Sequence, residues 1–458
     1  MRQFDAIVIG SGQAGPSLTA RLTAAGMSVA FVEREHFGGT CVNDGCIPTK
    51  TLVASAQAAH VARRAGDYGV RIAGSIEVDM KAVKARKDVV SERSRSGVEH
   101  WLRGMERCTI FWGSARFIAA KQVSVSGETL TADRIFINVG GRPSVPPISG
   151  LDQVPYLTNV SMMSIDFLPA HLVILGGSYV GLEFAQMYRR FGSAVTVIEA
   201  LPRLVAREDE DISAEIAKIL EREDIVVRVG AKALSVARRG NGISVVIETP
   251  QGRAEIEGSH LLVAIGRRPN TDDLGLEQAG IAVDPRGFIE VDDQLATNVP
   301  GVWALGDCNG QGAFTHTSYN DYEIVAANLL DHDRRGLSDR IMAYALYIDP
   351  PLGRAGLSRA DVRKTKKPAL VANWPMERVS RAFERGETEG FMRLIVDQET
   401  KRILGASLLG LNADEVIHSV LDLMYAKAPY TTLQRAMHIH PTVSEYLPTM
   451  LGSLKPLT

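Results

Sequence analysis

The sequence predicts an α/β protein made of two similar strand–turn–helix units followed by a C-terminal portion of α+β character. Three observations carry that expectation. A buried strand runs into a glycine turn at residues 5–15 and again at 172–181. Each turn leads through a helical pattern to an apolar strand ending in an acid, Val29–Glu33 and Val195–Glu199, and 23 positions separate first glycine from acid in both copies. From Tyr344 onward the pattern changes to strands such as Phe391–Asp397 alternating with helices such as Asp414–Ala426. At 458 residues the chain is also too long for one core, so two to four domains are expected.

The first turn carries Gly10, Gly12 and Gly15, and the second carries Gly176, Ser178 and Gly181. One such motif is weak, but two, each with strand before, helix after and an acid closing the next strand, mark Rossmann-like dinucleotide-binding units. The first glycine makes the turn, the second admits a pyrophosphate close to the backbone, and the third lets helix pack on strand. The phosphates then sit at a helix N-terminus, where free N–H groups favour negative charge. Glu33 and Glu199 are placed to accept hydrogen bonds from a ribose 2′-hydroxyl. Ser178, standing where the middle glycine belongs, loosens the backbone approach in the second copy.

The segment after Glu33 runs through His36 and Gly39-Thr40 straight into Cys41 and, five residues on, Cys46. The first dinucleotide therefore lies beside a cysteine pair. A flavin takes a hydride as an electron pair and hands the pair to a disulfide, so FAD is assigned to the first site and the nicotinamide to the second. At the second site Glu199 accepts from the free hydroxyl of NADH and repels a 2′-phosphate, a preference that Arg203 and Arg207 soften.

Residues five apart on an ideal helix have Cα atoms roughly 8–9 Å apart, and a disulfide needs less than about 7 Å. A Cys41–Cys46 bridge thus requires a distorted helix, which Gly45 and Pro48 permit. So short a loop constrains the unfolded chain little, which suits redox chemistry better than stability. No second cysteine pair or histidine cluster completes a tetrahedral site, so no resident metal is expected. Cys108 and Cys308 stand alone and read as small apolar fillers.

Other features exclude partners. A net charge of −2 gives no reason to expect nucleic acid or an anionic membrane. No apolar run approaches the roughly 20 residues that span a bilayer, and the first strand, Phe4–Ile9, begins so near Met1 that no signal peptide is expected. A cytoplasmic location follows. The polar stretch Lys81–Arg103 reads as a long solvated helix with an incomplete apolar stripe of Val83, Val90 and Leu102.

The run Gly39-Thr-Cys41-Val-Asn-Asp44-Gly-Cys46-Ile-Pro-Thr-Lys50 resembles the redox signature of the FAD-dependent pyridine nucleotide-disulfide oxidoreductases, which include glutathione reductase, lipoamide dehydrogenase and mercuric reductase. The resemblance spans essentially the whole chain. Val263–Asn270, with Gly266, resembles the family's return strand from the nicotinamide domain. Val302–Asp307 resembles its second flavin motif, in which Asp307 binds the ribityl chain, and Ala115 falls where backbone meets the FAD adenine. The resemblance implies an FAD-binding domain over residues 1–148 and 268–338, an NAD(P)H-binding domain over 149–267 and an interface domain over 339–458. It further implies that Cys46 faces the flavin, that Cys41 is the interchange thiol, that Lys50 pairs with Glu183 near the flavin, and that Tyr179 covers the nicotinamide pocket. Asp44 departs from the apolar or basic residue expected there, and its charge is expected to disfavour thiolates.

His440-Pro-Thr-Val-Ser-Glu445 closes the set. A thiol nucleophile needs a proton acceptor near neutral pH, which is histidine's role, and a carboxylate five residues on can orient the ring. The motif resembles the family's His-Pro-Thr-x-Ser-Glu, whose pair comes from the opposite subunit, so a homodimer with shared active sites is implied. His438 lacks the supporting pattern and reads as structural.

Within the family, no cysteine follows Cys308, whereas mercuric reductases carry a C-terminal pair. The details Lys50-Thr-Leu-Val53, Phe314-Thr315-x-x-Ser-x-x-Asp-Tyr322 and Pro350-Pro-Leu352 resemble a mercuric-reductase-like branch that includes a copper-reducing, reactive-chlorine-resistance flavoprotein, and put Phe314 and Thr315 at the flavin. Three readings stand: NADH-dependent reduction of a metal ion (copper or mercury type) or small oxidant, a dihydrolipoamide dehydrogenase-type disulfide reductase, and a flavin-loaded sensor with little turnover.

Overall fold

A computed structural model describes residues 1–457. Its first sheet has seven strands. Cys108–Trp112, Val29–Glu33, Arg2–Ile9 and Glu128–Ile137 run parallel, and Val302–Ala304 adds to the last of these. Gln122–Val125 and Ala115–Ala119 continue it antiparallel. The run Ala6–Ile9 is buried throughout, as a parallel strand covered on both faces requires.

The second glycine motif starts a smaller copy. Ile225–Arg228, Ala194–Ile198, His171–Leu175 and His260–Val263 form an all-parallel four-stranded sheet. A three-stranded antiparallel sheet, Lys232–Arg239, Gly242–Thr249 and Gly252–Gly258, covers one face through Val236, Ile243 and Val245. The chain leaves the first unit through Gly141–Pro143 and returns through Arg267–Pro269, and these two segments pair antiparallel. The C-terminal part is a six-stranded antiparallel sheet, with the helix Ala413–Tyr425 packed on it through Val416, Ile417 and Val420. The α/β class with two Rossmann-like units and a C-terminal α+β domain is therefore present as expected.

These parts share a core. Leu52 and Ala56 of the helix Cys46–Arg63 pack in one cluster with Leu182, Phe184 and Tyr188 of the second unit and Leu346 and Leu409 of the C-terminal sheet. The helix carrying Cys46 is thus gripped from both sides.

The stretch after Lys81 does form a long helix, Met80–Arg103, capped by Asp79, whose carboxylate accepts from the N–H groups of Lys81 and Ala82. Most of its residues are exposed or half-buried, as expected, although three of its cations also bond to neighbouring elements. Lys87, 5% exposed, donates to Met163 O at 2.8 Å. Arg86 donates to Thr51 O at 2.8 Å, and Arg95 to Asn43 Oδ1 at 2.9 Å. The stems of Arg86 and Arg95 carry charge to oxygens of the segment bearing the cysteines, which an apolar-stripe reading does not detect. Among the described residues no helix is long and apolar enough to cross a membrane.

Arg393 ties the second unit to the C-terminal sheet. It is 2% exposed and donates to Asp209 Oδ2 at 3.1 Å, Asp211 Oδ1 at 3.0 Å and Asn373 Oδ1 at 2.8 Å. Removing one member of such a buried set leaves the others uncompensated. Arg393→Ala should lower the free energy of unfolding by about 3–5 kcal/mol, measured by chemical denaturation. A loss below about 1 kcal/mol would mean that Arg359, 3.2 Å from Asp211, satisfies both carboxylates alone.

Candidate active site

Both glycine turns are held by close packing. Gly10 (φ +98°) and Gly176 (φ +112°) adopt a conformation that favours glycine, and a Cβ on either would collide with the carbonyl of Asn138 or Ala264. A Cβ on Gly15 or Gly181 would strike the carbonyl of Gly10 or Gly176. Helix therefore meets strand closely in both copies. The acids behave alike as well. Glu33 accepts from Ser11 N at 3.0 Å, Ser11 Oγ at 2.5 Å and Arg34 N at 2.7 Å. Glu199 accepts from Gly177 N at 2.6 Å and Leu201 N at 2.8 Å. Each carboxylate is thereby fixed at the rim of its own turn. Ser178 is exposed at the start of the helix Tyr179–Phe191 and caps nothing with its hydroxyl. Arg203 turns to Glu210 at 3.3 Å and Ala206 O at 3.1 Å, whereas Arg207 is exposed.

Below the first turn the helix Gly39–Asn43 stops, and the helix Cys46–Arg63 begins after Gly45 (φ −128°, ψ −118°). The two cysteines stand on either side of this break, with Pro48 in the first turn of the second helix, where its missing N–H costs nothing. Gly39 (φ +59°) lets this segment abut the glycine turn, since a Cβ there would lie 2.9 Å from Gly12 Cα.

Both sulfurs are free thiols. Cys46 Sγ opens onto a cavity and lies 3.0 Å from Thr315 Oγ1. A hydrogen bond from Cys41, a second from Thr315 and the positive charge of Lys50 bring the Cys46 thiol down to about 6, against burial and the charge of Glu183. That same hydrogen bond and burial push Cys41 up. The hydrogen bonds and Lys50 leave the Cys46 thiol low with the Asp44 carboxyl two residues away, and that carboxyl is itself raised by burial and by Glu35.

The cavity, about 1070 Å³, exceeds the roughly 300–1,000 Å³ that holds a drug-sized ligand, so a dinucleotide fits it. Gly12, Glu33, Thr40, Ala115 and Asp307 line it from the first turn down to Cys46 and Lys50. Gly12 packs too closely against Asn138 for a side chain, since a Cβ there would sit 2.8 Å from Asn138 Oδ1. Asp307 lies 3.4 Å from Arg267 Nε, and burial raises its carboxyl. Toward the second unit, Lys50 Nζ is 2.8 Å from Glu183 Oε2. Tyr179 lies 5.5 Å from the ring of Phe314, and Phe314 stacks at 5.4 Å on Tyr344 and at 5.3 Å on His316. Gly266 (φ +133°) is an exposed turn between His260–Val263 and Arg267–Pro269.

His440 and Glu445 pair with each other, Nδ1 to Oε2 at 2.9 Å, but stand apart from this cavity. The His440 side chain is 74% exposed. Among the described residues no group of three His, Cys, Asp or Glu side chains is placed to hold a metal ion.

Three contributors escaped the sequence reading. Asn138 Oδ1 accepts from Gly15 N at 3.2 Å while its Nδ2 donates to Leu305 O at 3.0 Å, tying the first turn to the second flavin-type motif. Its only signal is a polar residue directly after the apolar strand end Ile135–Ile137. Arg267 bridges Asp307 and Thr40, the latter at 3.3 Å. Tyr347 contacts Lys50 and Glu183 from a part of the chain that carries no motif.

Comparison with known proteins agrees with this geometry. A model of the pyridine nucleotide-disulphide oxidoreductase family matches residues 4–321, and one of that family's dimerisation domain matches residues 342–451. The chain is 35% identical to the probable pyridine nucleotide-disulfide oxidoreductase RclA of Escherichia coli (strain K12), over 99% of this chain and 100% of that protein. It is 34% identical to dihydrolipoyl dehydrogenase of Thermus scotoductus, over 98% of this chain and 96% of that one. Among solved structures, the Cu(II) complex of the HOCl-induced flavoprotein disulfide reductase RclA from Escherichia coli superposes with a TM-score of 0.89. That match has 36% identity and covers 98% of this chain and 99% of the other.

Thr315→Val should raise the titration of Cys46, because the lost O–H donor favours the thiolate. A hydrogen bond to a charged group contributes about 1.5–3 kcal/mol, so the shift should be about one to two pH units. The pH dependence of iodoacetamide alkylation at Cys46 in the reduced protein measures it, and an unchanged titration would remove Thr315 from the site's electrostatics.

Proposed function

This chain belongs to the pyridine nucleotide-disulphide oxidoreductase family, a class of FAD- and pyridine nucleotide-dependent enzymes, and on that premise we propose that it is a cytoplasmic homodimer that uses NADH to reduce a metal ion or a small oxidised thiol through the Cys41–Cys46 pair. One observation carries the reading: Cys46 faces the dinucleotide cavity as a favoured thiolate, across a helix break from its partner cysteine.

The residues lining the first turn, with Asp307, would hold the FAD, which when bound would supply a relay for the electron pair between nicotinamide and sulfur. Gly176, Gly181 and Glu199 would hold the nicotinamide cofactor, and Tyr179 would cover its pocket. Lys50, paired with Glu183, would offer positive charge to a flavin bound beside it. The pair of electrons breaks the Cys41–Cys46 bond and leaves a thiolate on Cys46 and, with one proton, a thiol on Cys41. Two copper(II) ions or one mercury(II) ion take up the pair, becoming copper(I) or mercury(0), the Cys41 thiol gives up its proton, and the disulfide re-forms. The Cu(II) complex of the similar Escherichia coli flavoprotein supports a metal acceptor.

A second reading, disulfide reduction of the dihydrolipoyl dehydrogenase type, is favoured by one observation, the His440–Glu445 pair at 2.9 Å. Thiol exchange needs a group that takes a proton from sulfur and returns it, and an imidazole held by a carboxylate is built for that. The exposure of His440 supports its acting across a subunit boundary on the other chain's Cys41.

A panel of acceptors followed by NADH absorbance tests the proposal, copper(II) and mercury(II) against lipoamide and glutathione disulfide. Turnover with lipoamide but with neither the metal ions nor glutathione disulfide would replace the first reading with the second. His440→Ala should cost about 10²–10⁴-fold with thiol or disulfide substrates and much less with a metal ion, which needs no proton delivered. Equal losses in an intact dimer would give His440 a role in shaping the site instead.

Glu199 supports NADH over NADPH, since both its oxygens are fixed at the second turn and Arg203 is occupied by Glu210. Glu199→Arg should move the ratio of kcat/KM values toward NADPH by about tenfold or more. A wild-type preference for NADPH would show that Arg207 dominates.

A further inference from the structure

Tyr347 lies in the connection between the strands Ala343–Leu346 and Leu352–Gly356. This connection is laced to one face of the helix Tyr179–Phe191, at Glu183, Gln186 and Arg190, whose spacing of three and four keeps them in line. Tyr347 N donates to Glu183 Oε1 at 3.1 Å. Asp349 N donates to Gln186 Oε1 at 2.7 Å, and Gln186 Nε2 donates back to Asp349 O at 2.8 Å. Arg190 Nη1 donates to Asp349 Oδ2 at 2.7 Å. Tyr347 is therefore fixed before any ligand arrives. Over its ring, 4.5 Å from the centroid, sits Lys50 Nζ, whose other neighbour is Glu183 Oε2 at 2.8 Å.

We propose that Tyr347 is a positioning residue for the redox site, holding Glu183 through its amide and Lys50 through the face of its ring. A lysine ammonium is a point charge on a flexible four-carbon stem, so one carboxylate restrains its distance but not its direction. An aromatic face carries negative charge density and attracts the cation from a second side. Held between the two, Lys50 lines the same cavity as Cys46, and its charge is among those that favour the Cys46 thiolate. The hydroxyl of Tyr347 takes no part in this arrangement, so the ring is the feature that acts. The inference rests on reading Lys50 and Cys46 as redox machinery.

The test is the pH dependence of iodoacetamide alkylation at Cys46 in the reduced holoenzyme, followed by mass spectrometry of the Cys46 peptide. Tyr347→Leu should raise the titration and slow alkylation on its acid side by about threefold, equal to about half a pH unit. Tyr347→Phe, which keeps the ring, should match the wild type. Tyr347→Met is made alongside, so that either folded variant without a ring serves. In the same ringless variants the flavin midpoint potential should move negative, because a cation that favours the reduced ring is less well held. A purely structural role would lower Tm and leave titration and potential unchanged. Lys50→Met is the reference. If it shifts the titration while the ringless variants do not, the role of Tyr347 is overturned and that of Lys50 stands. If Lys50→Met shifts nothing, the reading of Lys50 fails and the inference with it. Equal shifts in Tyr347→Phe and Tyr347→Leu would transfer the effect to the hydroxyl and overturn the role of the ring.

Discussion

The pair Lys50–Glu183 is the contact on which the rest of the site depends. Glu183 is 4% exposed, and a carboxylate buried to that degree is costly unless it is paired and hydrogen-bonded. Lys50 meets one oxygen and the amide of Tyr347 meets the other. Those partners come from the helix that begins at Cys46, the helix after the second glycine turn, and the C-terminal domain. Satisfying one buried acid thus fixes three parts of the chain against each other. The shared apolar cluster of Leu52, Leu182 and Leu346 surrounds the junction and keeps it rigid.

The same economy appears in the two glycine turns. Each closes on a carbonyl contact too tight for a Cβ, and each holds its acid by N–H groups at the rim. The copies differ where their tasks differ. The first is reinforced by Asn138 and abutted by Gly39, so that a deep cavity runs from it to the cysteines. The second ends in exposed Ser178 and Gly266, an open arrangement suited to a cofactor that enters and leaves.

Features that are local in sequence were legible. The break between the cysteines follows from a distance argument over five residues, and the strand Phe391–Asp397 appears with the bounds the sequence expects. The partnership of Lys50 with Glu183, 133 positions apart, came from family resemblance, since no periodicity links them. Thr315 was assigned to the flavin by motif, but its hydrogen bond to Cys46 spans 269 positions and is visible only in three dimensions. At Cys46 two hydrogen bonds and the charge of Lys50 set the thiol, and these come together only in three dimensions. The helix Met80–Arg103 was placed well, yet its inward cations were hidden because a long side chain ends far from where its backbone points.

The arrangement at the C-terminus completes the argument about chemistry. His440 is oriented by a carboxylate at 2.9 Å, yet its ring is 74% exposed and meets no thiol in its own chain. Its neighbours Met437 and Ile439 are 99% and 81% exposed, an unusual expense of apolar surface beside a polar pair. Both peculiarities are resolved together if a second chain covers this surface and presents its own Cys41 to His440, as the matched dimerisation domain suggests. Such a division of labour also separates the two halves of the reaction. On the proposed reading, electrons would reach Cys46 within one chain, where Lys50 and Thr315 favour the thiolate, and protons would be exchanged at Cys41, whose thiol is pushed up and would benefit most from an external base. An acceptor that takes only electrons would call on the base only to remove the Cys41 proton, whereas a disulfide would also need a proton returned to the leaving thiol, so the identity of the acceptor decides how much of the assembly the chemistry engages.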